Sequence, residues 1–278
     1  MSPAGSAASD AGLRPRILLV LAVSLDGRLA PAGGGAAQLG GAGDRRALEE
    51  ALVWADGCLI GAETLRLHGS TCLIRQADLQ ERRQREGRSA QPWALAVSRS
   101  GQFDPLLPFF SQPLRRGLLA PAGAGSSPPA GFDRLWALPP GDPGVAGLPV
   151  DLSQAPQGSR GWAALLAQLA AEGLARLLLL GGARLAASLL ALDLVDGLQL
   201  TLVPRLLGGA HSWLPATPLP APGSWELQES RPLGQGELLL RYCRPGQLPP
   251  WKLSPDNSAL VTSPQSIPPW NSLPWQAP

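Results

Sequence analysis

The chain has 278 residues, of which 45% are hydrophobic and 16% are charged, so it can bury a sizeable core in one large domain or two small ones. Its formal net charge is +2 and Lys252 is its single lysine, which gives no reason to expect nucleic-acid binding through a basic surface. Its three cysteines (Cys58, Cys72 and Cys243) are widely spaced and odd in number, which argues against a disulfide framework and favours a reducing, cytoplasmic setting.

The two ends of the chain differ in composition from the part between them. Residues 1–15 are rich in Ala, Gly, Ser and Pro and lack the pattern of a secretory signal, so we expect a disordered segment. Residues 245–278 contain nine prolines and three tryptophans. Proline at this density blocks helix and ladder hydrogen bonds, which predicts an extended tail that is either disordered or docked through its tryptophans. Residues 16–244 then form the folded domain.

Strands and helices alternate through the first half of that domain. Short apolar runs predict buried strands at 16–23, 57–61, 92–98, 116–120 and 133–138. The first run, "ILLVLAV", is too short to span a bilayer, so we expect no membrane insertion. Helical periodicity covers 44–55, with Asp44 as the expected N-cap. The stretch 78–89 is polar all round and predicts a solvated helix or a loop.

The second half continues the alternation. The patterns predict a helix at 161–173, a strand at 176–180, a helix at 183–192, and strands at 197–209 and 236–243. Such alternation is typical of an α/β fold with helices on both faces of a sheet.

The stretch "LLLLGGARLAAS" (177–188) places two glycines between a strand and a helix. A helix start offers free N–H groups and a partial positive charge, and the absence of side chains would let a pyrophosphate approach the backbone. Alternatively, the glycines only let strand and helix pack closely. No G-x-G-x-x-G follows a strand, and Lys252 lies in the tail, which excludes a P-loop.

Three stretches in order resemble the riboflavin-biosynthesis reductase domain family. They are "AVSLDGRLA" (22–30), "ADGCLIGAETLR" (55–66) and "LARLLLLGGARLAASLLALDLVDGLQLTLVPRLLGG" (174–209). The resemblance covers residues 16–244. It implies a dihydrofolate-reductase-like fold with a central, mostly parallel mixed sheet, NADPH as cofactor, and a homodimer. The family's best-known reaction reduces the ribosyl group of a phosphoribosylamino-pyrimidine to ribityl. The H-x-E and P-C-x-x-C motifs of its zinc deaminase partner are absent, so we expect a stand-alone reductase without a metal.

The resemblance also implies a set of cofactor-binding residues. Gly181, Gly182 and Ala183 would contact the cofactor diphosphate, and Gly61 and Thr64 would line the same cleft. In "SRS" (98–100), Ser98 and Arg99 would hold the adenosine 2′-phosphate, although a solvated turn explains this stretch equally well.

The substrate side of the resemblance departs from the family pattern. Bifunctional members often read "T-V-x-x-D-D-P-x-L-x-x-R", whereas this chain reads "TLRLHGSTCLIR" (64–75). Asp26 either binds substrate or caps its own turn, and His68 either acts as an acid or hydrogen-bonding group or is a plain loop residue. Arg66 or Arg75 would bind a sugar phosphate or carry surface charge. We assign no catalytic residue, because hydride transfer mainly requires placement of the reactants.

The departure keeps two other functions open. The first alternative is a reductase of the same fold that acts on another pterin-like or heterocyclic substrate. The second is a non-catalytic nucleotide-binding protein.

Overall fold

The computed structural model describes residues 14–121, 127–138, 155–215, 224–247 and 249–252, and within these ranges a nine-stranded mixed sheet forms the centre of the molecule. The strands are β1 (Arg16–Ser24), β2 (Gly57–Gly61), β3 (Trp93–Val97), β4 (Arg116–Pro121), β5 (Arg134–Leu138), β6 (Arg176–Leu179), β7 (Gly197–Val203), β8 (Glu226–Gly234) and β9 (Glu237–Cys243). Their order is β5-β4-β3-β2-β6-β1-β7-β9-β8. The pairings from β5 to β7 are parallel, and β9 pairs antiparallel with both β7 and β8.

Helices cover both faces of this sheet, which confirms the predicted fold class. They are α1 (Ala42–Trp54), α2 (Ala62–His68), α3 (Ala77–Arg85), α4 (Ala155–Ala171) and α5 (Ala183–Ala191). Alternate residues of β1 point to opposite faces: Leu19 packs with Trp162 of α4 and Leu189 of α5, whereas Leu18 packs with Leu52 of α1. No helix within the described ranges is long and apolar enough to cross a bilayer.

Helix α1 begins two residues earlier than the sequence predicts. Its N-cap is Gly41, not Asp44, and no side chain caps it; the prediction of Asp44 as N-cap is wrong. The N–H of Gly41 instead donates to Glu237 Oε1 of β9 at 2.6 Å. Asp44 lies in the first turn, where burial raises the pKa of its carboxyl group above the usual 3.8.

Two elements are missing from the sequence prediction and one is shorter than predicted. Strand β8 carries charged residues and a proline, and its side chains are mostly half-buried or exposed, as suits a strand at the edge of a sheet. Helix α2 is a seven-residue helix between two glycines. Strand β7 ends at Val203 and not at 209, because Pro204 has no N–H to continue the ladder.

Two aspartates of the family-like motifs anchor the amino-terminal edge of the sheet. Asp56 of "ADG" accepts hydrogen bonds from the backbone N–H and the guanidinium of Arg176. Asp196 of "LVD" is buried and accepts from the N–H of Ile17 at 2.7 Å and from Arg14 at 2.8 Å. These carboxylates therefore fix strand starts, on the side of the sheet away from the double glycine.

The chain ends lie mostly outside the described residues. This applies to 1–13 and to 253–278, so most of the predicted tail is not described. Trp251, the first tryptophan of the tail, is 8% exposed and packs with Leu18 in the core on the α1 face. The guanidinium of Arg241 lies 5.5 Å from its ring centroid. The first turn of the tail is thus packed on the domain.

Candidate functional site

Three neighbouring strands end side by side at the carboxyl edge of the sheet. In the parallel ladders, Gly61 pairs with Val97, and Leu59 pairs with Leu179. The end of β2 therefore lies between the double glycine, which follows β6, and Ser98, which follows β3. Ligands of open α/β sheets bind outside the carboxyl ends of the strands, and most of the predicted cofactor residues lie along this row.

The double glycine adopts a backbone conformation that favours glycine. Gly181 has φ 103° and Gly182 has φ 87°, in the region that L-residues rarely adopt. Gly182 is the N-cap of α5, and no side chain caps this helix. The N–H groups of the first turn have no acceptor within the helix, and the helix dipole adds a partial positive charge. The start of α5 therefore has the properties of an anion-binding site.

Close packing restricts the space at Gly182. A Cβ atom added there would lie 3.0 Å from Oγ1 of Thr64 and 3.8 Å from Cα of Gly61. At Gly181 the nearest atom to an added Cβ would be Cδ2 of Leu21 at 3.7 Å, which is an ordinary contact. Close packing against Thr64 and Gly61 is therefore one reason for a glycine at position 182, and it leaves the diphosphate interpretation open. The same closeness brings the Thr64 hydroxyl to the start of α5, where an anion would bind.

The loop after β3 carries an exposed arginine on a fixed turn. Ser98 is buried, and its Oγ accepts a hydrogen bond from the N–H of Gly101 at 3.1 Å. Arg99 and Ser100 are exposed. The guanidinium of Arg99 makes no hydrogen bond or ion pair with any described residue. Ser98 therefore shapes the turn, and Arg99 presents an unpaired positive charge at the edge of the sheet.

Arg66 of α2 lies against the same loop. Its Nη2 donates to the backbone oxygen of Gln102 at 2.7 Å. Its guanidinium carbon is 5.0 Å from the centroid of the Phe103 ring. The structure thus places Arg66 against the loop that also carries the predicted cofactor residues Ser98 and Arg99. The sequence prediction omitted Gln102 and Phe103, although both follow "SRS" within three residues.

Asp26 connects the turn after β1 to the loop after β7. Its carboxylate accepts hydrogen bonds from the N–H groups of Leu207 at 3.1 Å and Gly208 at 2.7 Å, and from the Ser24 hydroxyl at 2.5 Å. The Ser24 bond first, and the two backbone bonds with it, lower the pKa of Asp26 to about 2. The turn itself is closed by the N–H of Gly27 donating to the Ser24 carbonyl at 2.9 Å, so Asp26 bonds to Ser24 within its own turn and also caps the loop after β7.

Two predicted substrate residues lie away from the row of strand ends. His68 is the exposed last residue of α2. Arg75 is held by its N–H, which donates at 2.8 Å to Oε2 of the buried Glu49 in α1; its exposed guanidinium makes no hydrogen bond or ion pair with the described residues. Within the same ranges, no three His, Cys, Asp or Glu side chains are grouped to hold a metal ion.

The loops after β1 and β7 pair with each other and form the mouth of the site beside β6. The N–H of Leu25 donates to the Arg205 carbonyl at 2.8 Å, and the N–H of Trp213 donates to the Gly27 carbonyl at 3.1 Å. Leu25 is 60% exposed and Leu206 is 76% exposed. These two leucines give the mouth an apolar wall that the sequence prediction did not include.

A polar cavity of about 170 Å³ lies beside the start of the loop after β7, and its lining does not include the double glycine. Its lining includes Arg205 from the loop after β7, Gly41 at the start of α1, and Gln38, Gln235 and Glu237. None of the predicted cofactor residues lines it, so this cavity is not the row of strand ends.

Comparison of the sequence with known protein families gives a match in the carboxyl-terminal half of the chain. Residues 152–239 match the family described as "RibD C-terminal domain", a range that includes β6, the double glycine, α5 and β7. The resemblance to the riboflavin-biosynthesis reductases is confirmed. None of the curated proteins matches the chain.

Solved structures share the fold over more than four fifths of the chain. A pyrimidine reductase-like protein from Corynebacterium diphtheriae is 20% identical, with TM-score 0.59, over 83% of this chain and 92% of that chain. The riboflavin biosynthesis reductase of Saccharomyces cerevisiae is 15% identical, with TM-score 0.57, over 84% and 90%. A deaminase/5-amino-6-(5-phosphoribosylamino)uracil reductase from Thermotoga maritima is 16% identical, with TM-score 0.62, over 83% of this chain and 57% of that chain. The chain thus spans little more than half of the bifunctional protein.

Proposed function

We propose that this protein is an NADPH-dependent reductase of riboflavin biosynthesis that converts the ribosyl group of a 5-amino-6-(phosphoribosylamino)uracil-type intermediate to ribityl. The match of residues 152–239 to the RibD C-terminal domain supports the reaction class. The observation that carries the proposal is the uncapped start of α5 at Gly182, packed against Thr64. We further propose that it acts in the cytoplasm as a homodimer.

The cofactor follows the row of strand ends in this proposal. Gly181, Gly182 and Ala183 bind the diphosphate through backbone N–H groups, because the two glycines leave room at the helix start. Gly61 and Thr64 form the neighbouring wall. When bound, NADPH supplies the hydride that reduces the ribosyl carbon.

Charge decides the direction in which the cofactor lies. The guanidinium of Arg99, which has no partner among the described residues, follows β3, so the adenosine with its 2′-phosphate belongs on that side of the double glycine. Its loop is fixed through Ser98. The nicotinamide then points to the other side, towards β1, Asp26 and the apolar wall of Leu25 and Leu206.

In this proposal the reacting ribosyl carbon lies at the mouth beside Asp26, and His68 and Arg75, which lie away from the row of strand ends, are proposed to contact more distant parts of the substrate. Asp26 keeps the two mouth loops together, and its low pKa keeps it ionised at neutral pH. The unpaired guanidinium of Arg75 is suited to bidentate pairing with the substrate phosphate.

The experiment is an NADPH-oxidation assay with 5-amino-6-(phosphoribosylamino)uracil, in which the ribityl product is identified by mass spectrometry. Oxidation without a ribityl product, or no turnover at saturating NADPH, would refute this substrate. If NADPH still binds in that case, the protein is instead a reductase of another heterocycle. The stretch "LHGST" (67–71), which departs from the family pattern, is compatible with such a different substrate.

Arg75 is tested in the same assay. Arg75→Met should raise the KM for the phosphorylated substrate about 10-fold, because a charged hydrogen bond to the phosphate is lost, and should change little with a dephosphorylated analogue. Arg85→Met is the matched control, since Arg85 is another exposed arginine, at the end of α3. An equal effect of Arg75→Met on both substrates would exclude a phosphate contact.

A further inference from the structure

Arg66 has a fixed orientation although its side chain is exposed. The Phe103 ring lies under its guanidinium, with 5.0 Å from the guanidinium carbon to the ring centroid. The Gln102 carbonyl oxygen accepts from Nη2 at 2.7 Å. An aromatic face and a carbonyl hold a planar guanidinium in one orientation. Since a guanidinium has five N–H donors, this arrangement leaves most of them available.

No carboxylate within the described residues neutralises Arg66. It forms no ion pair there, whereas the neighbouring acid, Glu63, pairs with Arg184 of α5 at 3.4 Å. Arg99, on the loop that Arg66 touches, also has no acidic partner among the described residues. Two arginines, one pre-oriented and both without a carboxylate partner, therefore share one short loop region. This is the charge arrangement that a dianionic phosphate requires.

The position of this pair relative to the double glycine matches the dimensions of a nucleotide. Strand β6 precedes the double glycine and β3 precedes the Arg99 loop, with only β2 between them. Neighbouring strands are about 4.8 Å apart, so the two places are separated by roughly 10 Å. A ribose that carries one phosphate at the helix start and a second phosphate on its 2′-oxygen extends over a comparable distance.

We infer that Arg66 and Arg99 together bind the 2′-phosphate of the cofactor, so that Arg66 determines the preference for NADPH over NADH and does not bind the substrate. This inference rests on the proposed function, because it takes the diphosphate to lie at Gly182. It moves Arg66 from the substrate side, where the sequence prediction put it, to the cofactor side.

The test measures dissociation constants of Arg66→Met for two pairs of ligands that differ only in the 2′-phosphate: NADPH against NADH, and 2′,5′-ADP against AMP. Arg66→Met should weaken binding of NADPH and 2′,5′-ADP about 10-fold, the lower end of the range for charged hydrogen bonds, because the site is exposed to solvent. NADH and AMP should bind as before. Arg66→Lys should restore part of the difference, since lysine keeps the charge without the planar fork.

Arg184→Met is the matched control, because Arg184 is an exposed arginine at the start of α5 whose described partner is Glu63. It should leave the NADPH/NADH ratio unchanged. Equal weakening of all four ligands by Arg66→Met would show that Arg66 only supports the loop, and would overturn the inference. A raised KM for the pyrimidine with unchanged NADPH binding would also overturn it and return Arg66 to the substrate.

The outcomes separate this inference from the proposed function. If wild-type protein binds 2′,5′-ADP through Arg66 but does not reduce the phosphoribosylamino-pyrimidine, the inference stands and the proposed substrate is wrong. If wild-type protein does not distinguish 2′,5′-ADP from AMP, the inference is wrong, whatever the reductase activity.

Discussion

Replacing Gly182 by alanine tests whether the start of α5 is the diphosphate site. The new Cβ would lie 3.0 Å from Oγ1 of Thr64, so one of the two must move by a few tenths of an ångström. The added methyl group also stands where the diphosphate would approach the backbone. The loss of one or more hydrogen bonds to a charged ligand, at about 1.5–3 kcal/mol, predicts a roughly 10- to 150-fold rise in the Kd for NADPH.

The variant also strains the backbone, and a matched control separates this strain from the binding effect. Gly182 has φ 87°, and Gly173 has φ 86° with nothing within 4 Å of an added Cβ. An alanine in this region costs about 1–2 kcal/mol, so each variant should lower Tm by roughly 2–8 °C for a domain of this size. Gly173 follows α4 and precedes β6, at the edge of the sheet opposite the double glycine.

The assay is titration of NADPH by quenching of tryptophan fluorescence, together with thermal unfolding of both variants. Gly182→Ala should lose affinity, whereas Gly173→Ala should lose stability alone. A folded Gly182→Ala with unchanged Kd would refute the assignment of the diphosphate to this helix start. Equal loss of affinity in both variants would show that strain, and not contact, governs binding.

Three further predictions concern stability. Asp44→Asn should raise the free energy of unfolding more at pH 7 than at pH 4, because burial raises the pKa of the Asp44 carboxyl in the folded state above its usual 3.8 and the native state loses stability as the pH rises through that raised pKa. Urea titrations at both pH values check this, and an equal gain at both would contradict it. Arg83→Met should cost about 2–3 kcal/mol, because buried Arg83 donates to three carbonyl groups at the end of α1. Arg82→Met, which removes a more exposed side chain of the same helix, should leave Tm nearly unchanged, and a similar loss in both would mean that the carbonyl bonds are not the cause. Trp251→Ala should cost about 3 kcal/mol, whereas deleting 253–278 should leave Tm unchanged. If that deletion lowers Tm as much as the Trp251 variant does, later parts of the tail also pack on the domain.

The sequence alone was sufficient for the fold class because strong local signals agree with the tertiary structure. The apolar runs that predict β1, β2 and β6 are long or pure enough to be buried on both faces of a parallel sheet. The double glycine marks a strand end and a helix start without further context. The edge strand β8 could not be found in the same way, because an edge strand needs few apolar residues.

The sequence motifs did not show which of their residues lie at which edge of the sheet. Asp56 and Gly61 belong to one motif, yet Asp56 fixes the amino-terminal edge of the sheet and Gly61 lies at the carboxyl edge. The two ends of a strand lie at opposite edges of the sheet, and ligands of open α/β sheets bind at the edge formed by the carboxyl ends of the strands. The strand order and direction therefore decide which residues of a motif can contact a ligand.

Long-range contacts were decided by the tertiary structure alone. Asp26 is bonded to the N–H groups of residues 207 and 208, and Arg66 is bonded to the carbonyl of Gln102. Each pair is far apart in the chain, so no local pattern records it. The sequence by itself determined most of the segments that become strands and helices and the position of the double glycine between β6 and α5. Only the packing of β1 beside β7, and of β2 beside β3, decided which side chains meet there, because contact between distant segments depends on strand order and register.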